Sequence, residues 1–166
     1  PSLNSLNVES NAMVGRLTKS IGKVSNLRYL NLRSNGFLQE LPMELFGLEE
    51  LKHLDVGGNK FTGTIPNEVS KLNKLEVLGL GPNLFTGSIP LGISALVTLK
   101  FLSITGIESL SGSIPAEFGF FLNDLEGITI SETSVSGNID TSFGRLPSLK
   151  SINFSKNQLR SAIPSE

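Results

Sequence analysis

The sequence predicts an α/β solenoid in which short parallel strands stack along one side and short helical turns lie along the other. Leucines recur at spacings of 24, 24, 24, 24, 26 and 24 residues, each begins a short LxL alternation, and Gly and Ile-Pro follow at fixed positions. The leucines that begin the seven units are Leu3, Leu27, Leu51, Leu75, Leu99, Leu125 and Leu149. One unit cannot bury its apolar face alone, so we expect successive units to share a continuous core.

The LxL segment of each unit predicts a strand whose leucines point inward and whose intervening residues point outward, because side chains alternate along a strand. Aligning the units gives three outward columns. The first is Ser5, Tyr29, His53, Val77, Phe101, Gly127 and Ser151. The second is Asn7, Asn31, Asp55, Gly79, Ser103, Thr129 and Asn153, and the third is Glu9, Arg33, Gly57, Gly81, Thr105, Ser131 and Ser155.

The remaining slots of the repeat each suggest a structural role. Asparagines after the strands are expected to bond backbone groups of neighbouring units: Asn11, Asn35, Asn59, Asn83 and Asn157. An apolar slot predicts a stacked spine of Met13, Phe37, Phe61, Phe85, Leu110, Val135 and Leu159. A glycine suits a tight bend in five units, and the prolines of Ile-Pro redirect the chain at Pro66, Pro90, Pro115 and Pro164. Apolar pairs three residues apart, such as Val69 and Leu72, predict one helical turn at the back.

The segments Thr62-Gly63-Thr64-Ile65-Pro66 and Thr86-Gly87-Ser88-Ile89-Pro90, with the period of 24 residues, resemble the plant-type leucine-rich repeat family. The resemblance covers essentially the whole chain. It implies a right-handed superhelix with a parallel sheet on the concave face and short helical or 3-10 segments on the convex side. It also implies an extracellular or cell-surface protein that binds a partner or ligand without catalysis and without a cofactor. Examples in the family are the ectodomains of receptor-like kinases and receptor-like proteins, and inhibitors of wall-polysaccharide hydrolases such as polygalacturonase inhibitors.

Several departures from the family pattern carry their own expectations. Family members usually have cysteine-pair caps, and the chain has no cysteine, so residues 1–166 are expected to be a piece of a longer array; the alternative is a lineage that caps its repeats differently. Gln39 stands in a glycine slot, Thr133 in an asparagine slot and Asp140 in a proline slot. The fifth unit gains one residue near Ile107-Glu108 and another within residues 118–122, which predicts a local bulge.

The extra residue within 118–122 adds an aromatic pair, Phe120 and Phe121. We expect this pair to fill the core around the insertion, because aromatic side chains readily fill irregular cores. The alternative is an outward Phe120 that marks a contact on the convex side.

A candidate recognition stripe lies in the first column, where Tyr29, His53, Val77 and Phe101 stand on adjacent predicted strands. Outward aromatic residues are common binding anchors. Arg33, Asp55 and Ser103 of the other columns complete the candidate site, and the small residues Gly57, Gly79 and Gly81 are expected to leave room for a guest. The alternative is that Tyr29 and Phe101 merely cover their neighbours across the sheet.

Composition and spacing argue against other functions. A net charge of −1 provides no field for nucleic acid or an anionic membrane, and no apolar run reaches the length of a membrane helix, so a membrane is expected only through flanking segments. No cysteine and a single histidine leave no metal cluster, and His53 with Asp55 lacks an activated nucleophile, so we expect no catalytic or metal residues. Asn153-Phe154-Ser155 is the one Asn-x-Ser/Thr sequence, which makes Asn153 a candidate glycosylation site.

Two functions therefore remain open. The first is a recognition module whose concave face binds a protein, peptide or glycan. The second is a structural subunit docked in a larger assembly through its ends or its convex side. Fold alone does not choose between them.

Overall fold

A computed structural model describes residues 2–160 and 162–163, and it contains one parallel sheet of seven strands with one strand from each unit. The order is β1-β3-β5-β7-β9-β11-β13, so successive units lie side by side. The strands are β1 (Ser5–Asn7), β3 (Tyr29–Asn31), β5 (His53–Asp55), β7 (Val77–Gly79), β9 (Phe101–Ile107), β11 (Gly127–Thr133) and β13 (Ser151–Asn153). We call the outward side of this sheet the concave face.

Short strands on the flank of each unit form three smaller parallel sheets. They follow the apolar spine, and their order is β2-β4-β6, β10-β8 and β12-β14. Their bounds are β2 (Val14–Gly15), β4 (Gly36–Gln39), β6 (Lys60–Phe61), β8 (Gly87–Ser88), β10 (Leu110–Ser111), β12 (Ser136–Gly137) and β14 (Gln158–Leu159). The solenoid therefore has a second, hydrogen-bonded side beside the main sheet.

Single helical turns line the back of the solenoid. Five are 3-10 helices: Lys19–Lys23, Met43–Gly47, Asn67–Lys71, Leu91–Ala95 and Thr141–Arg145; the fifth unit has a short α-helix instead, α1 (Glu117–Phe121). Pro66 and Pro90 precede their helices in extended conformation, as expected of residues that redirect the chain. Asp140 replaces proline by capping: its Oδ1 accepts a hydrogen bond of 2.9 Å from the Ser142 amide, and that bond holds the pKa of Asp140 below its usual range. Pro164 lies outside the described residues.

The core is a set of stacked columns of leucine, isoleucine and phenylalanine. In the spine, the rings of Phe37 and Phe61 are stacked with centroids 6.1 Å apart, and those of Phe61 and Phe85 are 6.4 Å apart. All three are buried, and Leu110 and Val135 continue the column at 0% exposure. Burying one such large side chain in each unit contributes on the order of 2 kcal/mol per unit, so the repeats stabilise one another through this column.

The expected asparagine ladder is present. The Nδ2 of Asn59 donates 2.9 Å to the carbonyl of Leu32 in the unit before, and its Oδ1 accepts a bond of 3.0 Å from the amide of Phe37. Asn83 repeats this pattern one unit later with Val56 and Phe61. Each asparagine thus satisfies a backbone amide of the unit before it, and the Leu32 and Val56 carbonyls each accept bonds from the asparagines of two successive units.

The fifth unit takes up its insertions in two ways. β9 and β11 each run for seven residues and stay in register from Phe101–Gly127 to Ile107–Thr133, and the extra residue follows at Glu108. At the back, α1 replaces the usual 3-10 turn, and Phe120 and Phe121 are 50% and 53% exposed. The expectation that this pair fills the core is therefore wrong, because Phe118 within α1 and Leu122 directly after it already occupy the buried positions.

Gln39 occupies the glycine slot of the second unit with φ of 70°, in the left-handed region. The glycines of the same slot have φ values from 77° at Gly63 to 89° at Gly15. The backbone therefore bends in the same way at residue 39 as at the glycines, although a glutamine is less stable than a glycine in this conformation. The backbone of Gln39 is strained as a result.

Within the described part of the chain, none of the helices is long and apolar enough to cross a membrane.

Candidate recognition face on the parallel sheet

The register of the sheet brings the first column together as expected. Tyr29 pairs with His53, His53 with Val77, and Val77 with Phe101. The second column is aligned in the same way, so Asp55 neighbours Gly79 and Gly79 neighbours Ser103. All seven candidate residues, Tyr29, Arg33, His53, Asp55, Val77, Phe101 and Ser103, lie on or directly after four adjacent strands, β3 to β9.

Tyr29 and His53 form a stacked pair. Their ring centroids are 4.3 Å apart and their planes differ by 17°. Both side chains are half-buried, and burial lowers the pKa of His53, against the opposing influence of the Asp55 and Glu9 carboxylates. A neutral imidazole on a tyrosine ring provides a flat, mainly apolar surface at this end of the stripe.

Phe101 lies at the other end of the stripe, separated from the pair by the half-buried Val77. Its side chain is 48% exposed and leans over the neighbouring strand, where a Cβ built on Gly127 would lie 3.2 Å from its Cδ1. The ring can take this position because residue 127 has no side chain. Phe101 is the large apolar side chain most open to solvent among the four residues of the stripe.

Asp55 occupies the centre of the second column. Its Oδ1 accepts a bond of 2.8 Å from the Gly57 amide, and Arg33 Nη1 lies 3.4 Å from its Oδ2. A Cβ built on Gly79 would lie 2.7 Å from the Asp55 carboxyl carbon, so the carboxylate leans over that glycine. Only 17% of the Asp55 side chain is exposed, which fixes its position on the face.

These contacts correct one expectation from the sequence. The positions of Gly57, Gly79 and Gly81 do not leave room for a guest, because Asp55 fills the space over Gly79 and backbone carbonyls fill the space at the other two. All three glycines are buried. They are required by close packing within the sheet.

A shallow depression of about 210 Å³ lies beside Phe101 on the concave face. Its residues are Asp55, Val77, Leu78, Gly79, Phe101, Leu102, Ser103, Gly127, Thr129 and Ser151. The sequence columns contained Gly127, Thr129 and Ser151, but residue type alone gave no reason to select them. Their role depends on the direction in which Phe101 leans.

Larger depressions lie away from this face. One of about 800 Å³ lies near the first two helical turns, where Lys19 and Glu44 form an exposed ion pair of 3.4 Å. Another of about 500 Å³ lies among Phe143, Leu149 and Phe154 at the last unit. The first is lined largely by flexible polar side chains and the second is the apolar end of the repeat core, so neither combines fixed polar groups with an exposed aromatic ring as the concave face does.

The described residues, 2–160 with 162–163, contain no group of three or more His, Asp or Glu side chains that could hold a metal ion. The Asp55 carboxylate accepts hydrogen bonds from the Gly57 amide and from Arg33 Nη1.

Asn153 lies exposed on β13, and its Oδ1 accepts a bond of 3.0 Å from the Ser155 amide. Its glycosylation stays a prediction.

The fold is a repeat solenoid with one outward-facing parallel sheet. A leucine-rich repeat region model matches residues 3–158, and the chain therefore belongs to the leucine-rich repeat family. No curated protein sequence matches the chain.

Solved structures of plant receptor ectodomains are similar to the chain. The ectodomain of the Arabidopsis thaliana receptor kinase GASSHO1/SCHENGEN3, in complex with CASPARIAN STRIP INTEGRITY FACTOR 2, is 35% identical with a TM-score of 0.91, over 98% of this chain and 19% of that chain. The Arabidopsis receptor kinase HAESA, in complex with the peptide hormone IDA and the co-receptor SERK1, is 35% identical with a TM-score of 0.92, over 99% and 27%. The chain thus spans about a fifth to a quarter of these ectodomains.

A third similar structure belongs to a different functional class. A plant ice-binding protein is 29% identical with a TM-score of 0.89, over 95% of this chain and 51% of that chain. The same fold therefore serves more than one kind of recognition in plants.

Proposed function

We propose that this chain is a non-catalytic, extracellular or cell-surface recognition module that binds a peptide or an extended protein segment across its concave face. The observation that carries the proposal is the in-register stripe from Tyr29 to Phe101, which presents aromatic and apolar side chains on four adjacent strands. The similar ectodomain of HAESA was crystallised with a peptide hormone, which supports a peptide as the partner.

The rigidity of the stripe and the polar groups beside it favour binding of a partner. Exposed aromatic side chains held by a rigid sheet lose little conformational entropy when they contact a partner. Polar groups beside them, on Asp55 and Ser103, can fix the orientation of a bound backbone. An extended peptide that crosses the strands contacts one outward residue from each unit.

The test is selection from a displayed library of random peptides, followed by affinity measurement on the purified chain. We expect the double substitution Tyr29→Ala and Phe101→Ala to weaken a selected peptide by at least about tenfold, since each anchor contributes about 1–2 kcal/mol. The matched control is Phe120→Ala with Phe121→Ala, which removes two exposed aromatic rings from the convex side. Equal affinity of the concave variant and the unsubstituted chain would contradict the proposal, as would a selection that yields binders to the convex side alone.

A second candidate function is ice binding, and one feature of the flank favours it. In units three to six the flank carries two rows of uncharged polar side chains: Thr62, Thr86, Ser111 and Ser136, and Thr64, Ser88, Ser113 and Asn138. The two rows are staggered between units: Thr64 of the second row pairs with Thr86 of the first row in the next unit, and Ser88 pairs with Ser111 in the same way. The hydroxyls of Thr86 and Ser111 each donate 3.3 Å to a glycine carbonyl of the unit before, so their spacing is set by the backbone.

Regularly spaced hydroxyl groups on a rigid backbone can order water in a repeating array, and the similar ice-binding protein makes this testable. An ice-recrystallisation assay on the purified chain decides the matter. Activity that is lost in Thr86→Lys with Ser111→Lys and kept in Phe101→Ala would support ice binding. Absence of activity in the unsubstituted chain would exclude ice binding.

The alternative of a structural subunit is supported by the exposed side chains of Phe120 and Phe121. The variant Phe120→Ala with Phe121→Ala tests it, through any complex that the full protein forms.

A further inference from the structure

We propose that the depression beside Phe101 binds a cationic side chain, an arginine or lysine of the bound peptide, with the Asp55 carboxylate as its counter-ion. This inference rests on the proposed function of the concave face and names the chemistry of one ligand position. It follows from the walls, the charges and the rigidity of the depression.

The walls suit a long side chain with an apolar stem. Val77 and Phe101 provide apolar surface on two adjacent strands, and the shallow depression between them and the neighbouring residues has a volume of about 210 Å³. Arginine and lysine bury their methylene groups along such surfaces while the charged head stays near polar groups. The ring of Phe101, 48% exposed, can also attract a cation placed over its face.

The charges of the depression select the sign of the ligand. Asp55 is the charged residue among those that line it. Its ion-pair partner Arg33 lies 3.4 Å away, and Glu9, on the first unit of the same face, accepts a hydrogen bond from Asn31. The three side chains of Glu9, Arg33 and Asp55 together carry a net charge of −1. A carboxylate can accept about four hydrogen bonds, and the contacts with Gly57 and Arg33 use two, so Asp55 can accept more. A carboxylate or phosphate of a ligand would be repelled here.

The site is also held in place before a ligand arrives. Gly79 allows the Asp55 carboxylate to lean into its position, and Gly127 allows the Phe101 ring to lean across the next strand. Because both groups are set by backbone packing, little side-chain entropy remains to be lost on binding. Hydroxyls of Ser103, Thr129 and Ser151 complete the rim and can bond the remaining N–H groups of a guanidinium.

The experiment uses the ¹⁵N-labelled full chain and three blocked amino acids as probes: the N-acetyl N-methylamides of arginine, glutamine and glutamate. We expect the arginine probe to shift the amide resonances of Gly79, Phe101 and Ser103, with an affinity about three- to tenfold higher than that of glutamine. The glutamate probe should leave these resonances unchanged.

Three variants make the result specific. Asp55→Asn should remove the preference for arginine over glutamine, and Glu9→Gln, which lies on the same face outside the depression, should keep it. Gly79→Ala retains the charge but displaces the Asp55 carboxylate, so it should also reduce the preference. Equal shifts by all three probes, or none by arginine at high millimolar concentration, would overturn the inference. The peptide selection would still stand or fall separately, because it depends on Tyr29 and Phe101 without regard to ligand charge.

Discussion

The phenol ring of Tyr29 lies flat against the imidazole of His53, with centroids 4.3 Å apart. The two residues are 24 positions apart in the sequence and directly opposite each other in the parallel sheet. His53 is the single histidine of the chain, so one titration reports on the burial of this pair without interference.

Substitution of Tyr29 by alanine should raise the pKa of His53 toward its ordinary value. Burial is the largest cause of the lowered pKa, and the tyrosine ring provides part of that burial. The measurement is the chemical shift of the imidazole protons against pH. Phe101→Ala, two strands away, serves as the control and should leave the titration unchanged. A His53 pKa that stays constant in Tyr29→Ala would mean that the stack does not shield the imidazole in solution.

Substitution of Asn59 by alanine should lower the free energy of unfolding by about 2–4 kcal/mol. It removes the bond to the buried Phe37 amide and one bond each to the Leu32 and Val56 carbonyls, which keep the side-chain amides of Asn35 and Asn83 as partners. Urea denaturation measures the change. Asn11→Ala is the matched control, because Asn11 is exposed and its side-chain amide bonds the Val8 and Glu9 carbonyls of its own unit. The free energy of unfolding should fall there by less than about 1 kcal/mol. Equal losses at both sites would contradict the role of the ladder between units.

Substitution of Gln39 by glycine should stabilise the chain by about 0.5–1 kcal/mol. Residue 39 has φ of 70°, where glycine is unstrained and glutamine is not. Thermal unfolding of the two chains is the measurement. Leu38→Gly, at the preceding position, should destabilise the chain instead, because it adds flexibility without relieving strain. Destabilisation by Gln39→Gly would show that the side chain compensates for its backbone conformation.

Stability should fall in acid through a ladder of lysine and glutamate side chains beside the sheet. Glu76 Oε1 and Oε2 lie 2.8 Å from the ammonium groups of Lys52 and Lys100, and these bonds lower the pKa of Glu76 to about 2. Because the folded-state pKa is below the ordinary value, the ion pairs stabilise the fold above about pH 4.5 and are lost progressively toward pH 2. Glu126 beside Lys150, and Glu50 beside Lys74, have lowered pKa values for the same reason.

The check is urea unfolding of Glu76→Gln and of the unsubstituted chain at about pH 6 and about pH 3. The substitution should cost more stability at the higher pH than at the lower one, because at about pH 3 the Glu76 carboxyl binds a proton in the unfolded chain while it stays ionised in the folded chain, and this proton binding favours unfolding. Glu49→Gln, an exposed glutamate outside the ladder, is the control and should show no such difference. A pH dependence that is the same in Glu76→Gln and in the unsubstituted chain would exclude this ladder as its source.

The sequence predicted the columns of the concave face because a fixed period places equivalent residues on equivalent strands. Tyr29, His53, Val77 and Phe101 therefore align as expected. Burial of the apolar spine from Phe37 to Val135 and the bonds of the asparagines between units follow from the same period, since each slot repeats one local environment. Burial is incomplete at the two ends of the predicted spine, where Met13 is 44% exposed and Leu159 is partly buried.

Side-chain directions across the strands could not be predicted in this way. The period states that Asp55 neighbours Gly79, but it does not state that the carboxylate leans over the glycine and fills the space. The same holds for Phe101 over Gly127. Phe120 and Phe121 lie outward because the inserted residue lengthens the turn into α1, and the sequence shows where an insertion lies without showing which residues it displaces.

The central claim is that the concave face binds the partner. Backbone NMR of the chain with a selected peptide tests this claim most directly. Shift changes should concentrate on the outward residues of β3 to β9, and the amide resonances of Phe120 and Phe121 at the back should stay unchanged. Changes centred on α1 and the neighbouring helical turns, with the resonances of Tyr29 and Phe101 unaffected, would contradict the account.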